Sequence, residues 1–153
     1  MGVATAQLLD ITDLSVEFDS QEGTVRAVDQ VSFSVAPGEL VGLVGESGCG
    51  KSVTATAILG LTRMAPNASV RGRIEFEGRD LLALEEREVR EVRGSDIAMI
   101  FQDPMTSLNP VLSIERLMTE GIEIHMGLSH DAAVARAVDM LQKVGIPKAA
   151  ERI

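Results

Sequence analysis

The sequence predicts an α/β protein with a β-rich N-terminal edge. Two strand patterns, Leu8–Phe18 and Val25–Val35, come first, and a glycine-rich loop then lies between an apolar run and a helical pattern. Strand and helix patterns alternate after that loop, which is typical of the α/β class. The chain has 153 residues, as expected for one ordinary domain. Hydrophobic residues make up 45% of it, so a packed core can form.

Turns and apolar runs delimit the predicted strands. Residues 21–23 are predicted to form the turn between the first two strands. Leu40–Val44 is a short and almost continuous apolar run, which is typical of a strand buried on both faces of a sheet. Ile97–Phe101 has the same character, and Arg73–Phe76 is a shorter strand that ends at a Glu-Gly turn.

Four later segments have helical spacing or the residues that begin and end helices. The helix predicted at Asp131–Val144 is the clearest, because Ser129 or His130 can cap its start and Gly145 follows its end. In the segment Leu84–Arg93, Glu86 and Arg90 lie four residues apart, in the order that stabilises a helix. The predicted helices are Lys51–Leu61, Leu84–Arg93, Ser113–His125 and Asp131–Val144.

The charge and the cysteine content exclude several classes of protein. The net charge of −9 argues against a nucleic-acid partner, because such binding depends on Lys and Arg that neutralise phosphates. It does not exclude a nucleotide, which needs only a local group of N–H donors and one or two cations. A single cysteine, Cys49, excludes an intramolecular disulfide and is typical of a reducing cytosol. No apolar run approaches the ~20 residues of a membrane-spanning helix, so we expect membrane association only through a partner.

The segment Gly45–Ser52 matches the phosphate-loop pattern G-x-x-x-x-G-K-[ST] in full. Its three glycines permit backbone angles at which successive N–H groups converge on phosphates, and the helix that follows adds the positive end of its dipole. Lys51 would contact the β- and γ-phosphates, and the hydroxyl of Ser52 would bind Mg²⁺. The sequence therefore predicts a site for a nucleotide with Mg²⁺. Its predicted nucleotide-binding residues in this region are Gly45, Glu46, Ser47, Gly48, Cys49, Gly50, Lys51, Ser52 and Val53.

Cys49 within this loop has two interpretations. It is either a small filler at a variable position of the motif or a reactive thiol beside the helix N-terminus and Lys51. In the second case a thiol reagent should block nucleotide binding, and ATP should protect the thiol.

The segment Phe101–Pro110 resembles the Q-loop of ABC-transporter nucleotide-binding subunits. Its sequence, Phe-Gln-Asp-Pro-Met-Thr-Ser-Leu-Asn-Pro, is similar to that of importers of dipeptides, oligopeptides and nickel. Arg26–Asp29 and Gly50–Ala55 are similar to the same importers, and the resemblance extends from Leu8 to Ile153. It implies a P-loop NTPase (RecA-like) core with an N-terminal antiparallel β-subdomain, of which residues 1–153 form a part.

The resemblance also implies roles for individual residues. Gln102 would contact Mg²⁺ and the attacking water, so that Lys51 and Gln102 are the candidate catalytic residues and Ser52 and Gln102 the candidate metal ligands. The loop after Gln102 would sense a transmembrane partner. Phe18 is the candidate for stacking on adenine, and the alternative is that it is a core residue of an alternating strand.

The family's later motifs are not found in this sequence. It has no Leu-Ser-Gly-Gly signature, no strand that ends in paired acids (Walker B), and no switch histidine, since His125 and His130 precede the position of the signature. We therefore expect a domain that is incomplete at its C-terminal end. It should bind ATP-Mg and hydrolyse little or none by itself, because the groups that activate the attacking water are missing.

As a whole, the resemblance implies an ATP-binding subunit that energises import of peptides, or of a related solute such as nickel. Its place would be the cytoplasmic face of the cell membrane, attached peripherally. The implied partners are transmembrane permease subunits, a second ATP-binding subunit in a homo- or heterodimer and, indirectly, a solute-binding protein. Two alternatives stay open, namely a P-loop NTPase unconnected with transport, such as a kinase or GTPase, and a passive nucleotide-binding module. The sequence does not identify the transported solute.

Overall fold

The computed structural model describes residues 7–103 and 108–153. These fall into two compact units, of which the first ends at Arg93 and the second begins at Gly94. The strands, all in the first unit, are β1 (Leu9–Ser20), β2 (Gly23–Val35), β3 (Ala68–Phe76) and β4 (Arg79–Asp80). The helices of the first unit are α1 (Lys51–Ile58), a 3₁₀ turn (Thr62–Met64) and α2 (Glu86–Val92). The helices of the second unit are α3 (Ile114–Met126), α4 (His130–Lys143) and α5 (Ala149–Arg152).

The first unit is built on an antiparallel sheet with the strand order β2-β1-β3-β4. β1 and β2 form a hairpin in which Leu9 pairs with Val35 and Phe18 with Val25, and residues 21–22 form its turn. The predicted antiparallel β-region at the N-terminus is therefore confirmed.

β3 begins at Ala68, five residues before the predicted start, because Gly72 interrupts the strand pattern in the sequence. At Gly72 the chain has a φ of +104°, and a Cβ there would lie 2.5 Å from the carbonyl oxygen of Asp13. Opposite Gly72, β1 carries one extra residue between the positions that pair with Arg71 and Arg73. This bulge allows pairing to continue past the glycine.

The core of the first unit lies against β1 and β3, the two inner strands of the sheet. Ile11, Leu14 and Val16 of β1 are almost completely buried, as is Ile74 of β3. Aliphatic side chains of the helices complete this core. They are Ala57, Val89 and Val92.

Two predicted strands are wrong. Leu40–Val44 and Ile97–Phe101 form no strand, apart from an isolated bridge at Ile97. Leu40 is 98% exposed and Val44 is 90% exposed, so the first run is not buried either. A strand forms only when a neighbouring strand satisfies its N–H and C=O groups, and in residues 7–103 and 108–153 no strand pairs with either run. An apolar run alone does not specify its partners.

The four predicted helices are confirmed in position. α1 begins at Lys51 as predicted but ends at Ile58, because a Schellman motif terminates it: Gly60 N–H donates to Ala57 O and Leu61 N–H to Thr56 O, both at 2.9 Å. α2 begins with a capping box between Glu85 and Glu88. The predicted ion pair between its residues Glu86 and Arg90 is present at 3.3 Å.

In the second unit the helix ends also follow the local sequence. The Ser113 side chain accepts a hydrogen bond from the backbone N–H of Arg116, and Ser129 occupies the cap position of α4. α4 ends in a second Schellman motif at Gly145. Among the helices that the structure describes in residues 7–103 and 108–153, none has the length and apolar character of a membrane-spanning segment.

Candidate functional site

The glycine-rich loop Gly45–Ser52 is curved and closed by its own lysine. The Nζ atom of Lys51 donates to the carbonyl oxygens of Gly45 at 2.7 Å and Glu46 at 2.6 Å. The backbone N–H of Cys49 donates to the same Glu46 carbonyl at 3.3 Å. Lys51 is the first residue of α1, so its ammonium group lies beside the helix N-terminus. The helix dipole favours an anion at that end.

The loop is docked on the sheet through a β-bulge. β2 carries one extra residue, Ala27, between the positions that pair with Val16 and Glu17 of β1. The carbonyl oxygen of Ala27 occupies the space that a Cβ on Gly50 would need. Gly50 is buried, has a φ of +94° and is the N-cap of α1, so only glycine fits this position without strain. The bulge thus sets where the helix begins relative to the sheet.

A second close approach lies inside the loop. A Cβ on Gly45 would lie 2.5 Å from the Sγ atom of Cys49, which itself lies 3.4 Å from Lys51 Nζ. Cys49 is exposed at the loop surface. Its sulfur therefore lies close to both Gly45 and the Lys51 ammonium while the residue remains exposed, and the two interpretations of this residue both stay open.

The first turn of α1 is anchored at Gly50. Thr54 is buried, and its backbone N–H and its hydroxyl both donate to the Gly50 carbonyl, at 2.8 Å and 3.0 Å. Ser52, the predicted magnesium ligand, is exposed in this turn, and Val53 is half-buried. Among the residues that the structure describes, no cluster of His, Cys, Asp or Glu is arranged to hold a metal ion.

A cavity of about 490 Å³ lies between the loop and β2. One of its walls carries the Lys51 ammonium, and the other carries the charged pair Arg26 and Asp29. Nε of Arg26 donates to Glu17 at 3.0 Å and Nη1 to Asp29 at 3.2 Å, and these contacts, led by that to Glu17, raise the pKa of Arg26. The cavity is lined by Arg26, Ala27, Val28, Asp29, Val31, Leu43, Val44, Gly48, Cys49, Gly50, Lys51 and Thr54.

A larger cavity of about 660 Å³ lies at another part of the sheet, where Asp10, Glu75 and Glu77 contribute to its lining. Three carboxylates there oppose the binding of a phosphate group, since like charges repel. We therefore place the candidate site at the loop, although its cavity is smaller.

Two predicted site residues lie away from this cavity or in the other unit. Phe18 is half-buried in β1, where it pairs with Val25 and Ala68, and it is not among the residues that line the loop cavity. Gln102 is exposed in the second unit. Residues 104–107, the next part of the predicted Q-loop, lie outside the described residues. The roles of Phe18 and Gln102 stay predictions.

Sequence reasoning missed Arg26 and Asp29 as residues of the site. They appeared only within a segment that resembles a family, without a role. A charged pair three residues apart on a strand gives no indication that the strand meets a distant loop. That contact depends on the bulge at Ala27, which is a property of the pairing between β1 and β2.

Together these features define a class of protein: a phosphate-loop fold in which an antiparallel sheet precedes the loop and a helix follows it. The chain belongs to the ABC transporter family, whose sequence profile matches residues 28–153. It is 46% identical to a putative peptide import ATP-binding protein of Brucella abortus over 153 residues, which are 100% of this chain and 46% of the relative. It is also 46% identical to the oligopeptide transport ATP-binding protein OppD of Bacillus subtilis, over 99% of this chain and 42% of OppD. The chain thus spans about half the length of the curated relatives it matches.

The fold is similar to that of a solved ABC cassette. The dimeric structure of MJ0796, a bacterial ABC transporter cassette, matches with a TM-score of 0.69 and 18% identity, covering 88% of this chain and 57% of that one. This similarity confirms the predicted fold class, an α/β cassette fold present in part.

Proposed function

We propose that Gly45–Ser52 binds ATP with Mg²⁺, and that the chain is the N-terminal part of an ATP-binding subunit of an importer. The observation that carries this proposal is the position of Lys51, whose ammonium is held by the carbonyl oxygens of Gly45 and Glu46 beside the start of α1. An incoming triphosphate would offer that ammonium a stronger acceptor than a carbonyl, while the N–H groups of the loop bind the phosphate oxygens.

The solute is proposed to be a peptide, or a related solute such as nickel. Support comes from the names of the relatives, which are a peptide import and an oligopeptide transport ATP-binding protein. The proposed location is the cytoplasmic face of the membrane, where transmembrane permeases and a second ATP-binding subunit would be the partners. A solute-binding protein would take part indirectly.

The proposed catalytic roles belong to Lys51 and Gln102, and the proposed metal ligands are Ser52 and Gln102. A carboxamide oxygen can bind Mg²⁺ while its nitrogen donates to water, which suits Gln102 to this role. We further propose that Phe18 stacks on adenine. For the 153-residue chain alone we expect binding with little or no turnover, because the paired acids and the signature are not in its sequence.

Calorimetric titration of the chain with Mg-ATP tests the proposal. We expect saturable binding that Lys51→Ala weakens by at least about tenfold, as the loss of a charge-assisted hydrogen bond to phosphate implies. Lys148→Ala is the matched control, since Lys148 is an exposed lysine of the second unit that pairs with Glu151. Absence of binding by the unsubstituted chain, or equal weakening by both substitutions, would contradict the proposal. Steady-state release of phosphate by the unsubstituted chain would contradict the expectation on turnover.

A further inference from the structure

We propose that the guanidinium plane of Arg26 contacts the base of a nucleotide whose phosphates lie in the loop Gly45–Ser52. This inference rests on the proposed nucleotide binding, and it adds to Phe18, proposed above to stack on adenine, a second residue that would contact the base.

The position of Arg26 is the first argument. It lines the same 490 Å³ cavity as Gly48, Gly50 and Lys51, but from the β2 wall rather than from the loop. A nucleotide with its phosphates in the loop would extend its ribose and base away from Lys51 and into the rest of this cavity. Arg26 and its neighbours on β2 are the residues found there.

The second argument is that the guanidinium is held in a defined orientation. Glu17 and Asp29 accept hydrogen bonds from two different nitrogen atoms of Arg26, at 3.0 Å and 3.2 Å. Glu17 is the firmer anchor, because its side chain is only 19% exposed and sits opposite Arg26 in the β1–β2 pairing. The Arg26 side chain itself is 55% exposed, so it remains accessible to a ligand. A planar group fixed in this way loses little side-chain entropy when a ring packs on it.

The third argument is the charge of this wall. Two carboxylates already compensate the single charge of Arg26, and one of them, Asp29, itself lines the cavity. Such a wall does not attract a further phosphate, whereas an uncharged base gains from contact with a guanidinium plane and with aliphatic side chains. Val28 and Val31 supply those side chains beside Arg26.

Titration with two probes separates this role from that of the loop. Mg-ATP would contact the loop and Arg26, whereas Mg-tripolyphosphate would contact the loop alone. We expect Arg26→Ala to weaken Mg-ATP about 5- to 20-fold, the range of a stacking contact, and to change tripolyphosphate binding by less than about twofold. Arg26→Lys keeps the charge but lacks the plane, so it should weaken Mg-ATP to a similar extent.

Arg71→Ala is the matched control, because Arg71 also approaches Glu17, at 3.9 Å, but does not line the cavity. It should leave both titrations unchanged. Normal tripolyphosphate binding by the Arg26 variants demonstrates that their loop is folded. The inference is overturned if Arg26→Lys binds Mg-ATP like the unsubstituted chain, if both probes weaken together, or if the unsubstituted chain binds tripolyphosphate as tightly as ATP. If the unsubstituted chain binds neither probe, the proposed function itself fails, and the inference fails with it.

Discussion

The carbonyl oxygen of Ala27 lies where a side chain on Gly50 would have to be. This contact joins the bulge of β2 to the residue that caps α1, and it places the loop against the sheet. The phosphate-loop motif requires glycine at position 50 so that the backbone can approach a phosphate. The structure adds a second reason for glycine, because a side chain at this position would collide with the Ala27 carbonyl.

Gly50→Ala should therefore impair both stability and nucleotide binding. The new methyl group meets the Ala27 carbonyl, and alanine at a φ of +94° is strained, so we expect a loss of at least about 1 kcal/mol in the free energy of unfolding. Urea unfolding and Mg-ATP titration measure the two effects. Gly42→Ala is the control, since a Cβ there meets nothing within 4 Å. Normal stability and binding in Gly50→Ala would show that the contact does not constrain the loop.

Thr119 of α3 is completely buried, and its hydroxyl has no hydrogen-bond partner among the described residues. Thr119→Val keeps the shape and removes the unpaired polar group, so we expect the free energy of unfolding to rise by about 1 kcal/mol. Thr119→Ser keeps the hydroxyl and loses a buried methyl group, and it should lower that free energy. Urea unfolding monitored by circular dichroism measures the free energy of unfolding of both variants. A destabilised Thr119→Val variant would contradict the prediction and would mean that the hydroxyl has a hydrogen-bond partner.

Gly121 lies on the exposed side of α3, and a Cβ there would meet nothing within 4 Å. Gly121→Ala should raise the free energy of unfolding by about 0.5–1 kcal/mol, because glycine has more backbone freedom to lose in a helix. Gly127→Ala is an informative contrast, since Gly127 ends α3 at a φ of +63° and alanine there should destabilise. The thermal midpoint should rise in Gly121→Ala and fall in Gly127→Ala. Shifts of both midpoints in the same direction would contradict the assignment of Gly127 as the end of α3.

His130 joins the start of α4 to α3. Its Nδ1 lies 2.8 Å from Glu123 and its Nε2 lies 3.6 Å from Glu115, and these contacts, led by the hydrogen bond to Glu123, raise the pKa of His130. The sequence indicated only a possible capping role for this residue. The capping position belongs to Ser129, and His130 is the first residue of the helix.

Because the folded-state pKa of His130 is raised, its contribution to stability is present below the unfolded value of about 6.5 and is lost as the pH rises through the folded value. His130→Gln should therefore reduce the decrease in thermal midpoint between pH 6 and pH 8. His125→Gln removes the other histidine and should leave that decrease in place. An equal pH dependence in the unsubstituted chain and in His130→Gln would contradict the role of these contacts.

How far the sequence predicts the fold depends on whether an element is determined locally. The β1–β2 hairpin and the helices α1 to α4 follow from alternation, turn residues and caps within each segment, and they were predicted within a few residues. Leu40–Val44 and Ile97–Phe101 could not be judged in this way, because strand formation depends on partners elsewhere in a chain. For the same reason the bulge opposite Gly72 was not foreseen.

The candidate site divides in the same manner. Eight consecutive residues identify the phosphate loop, since its spacing is a requirement of its own backbone. Arg26 and Asp29 join it only through the pairing of β2 with β1, which brings a distant strand to the loop. The local sequence pattern therefore predicts the phosphate-binding loop. The opposite wall of the cavity, formed by β2, depends on tertiary contacts that the pattern does not contain.

The central claim is that main-chain N–H groups of the loop hold the phosphates of ATP. The most direct test records the amide resonances of the ¹⁵N-labelled chain during titration with Mg-ATP. The account predicts large shifts of the Gly48, Gly50 and Lys51 amides on saturation, and none in α4. Unchanged loop amides in the presence of saturating nucleotide, or shifts confined to the acidic cavity near Glu75, would contradict it.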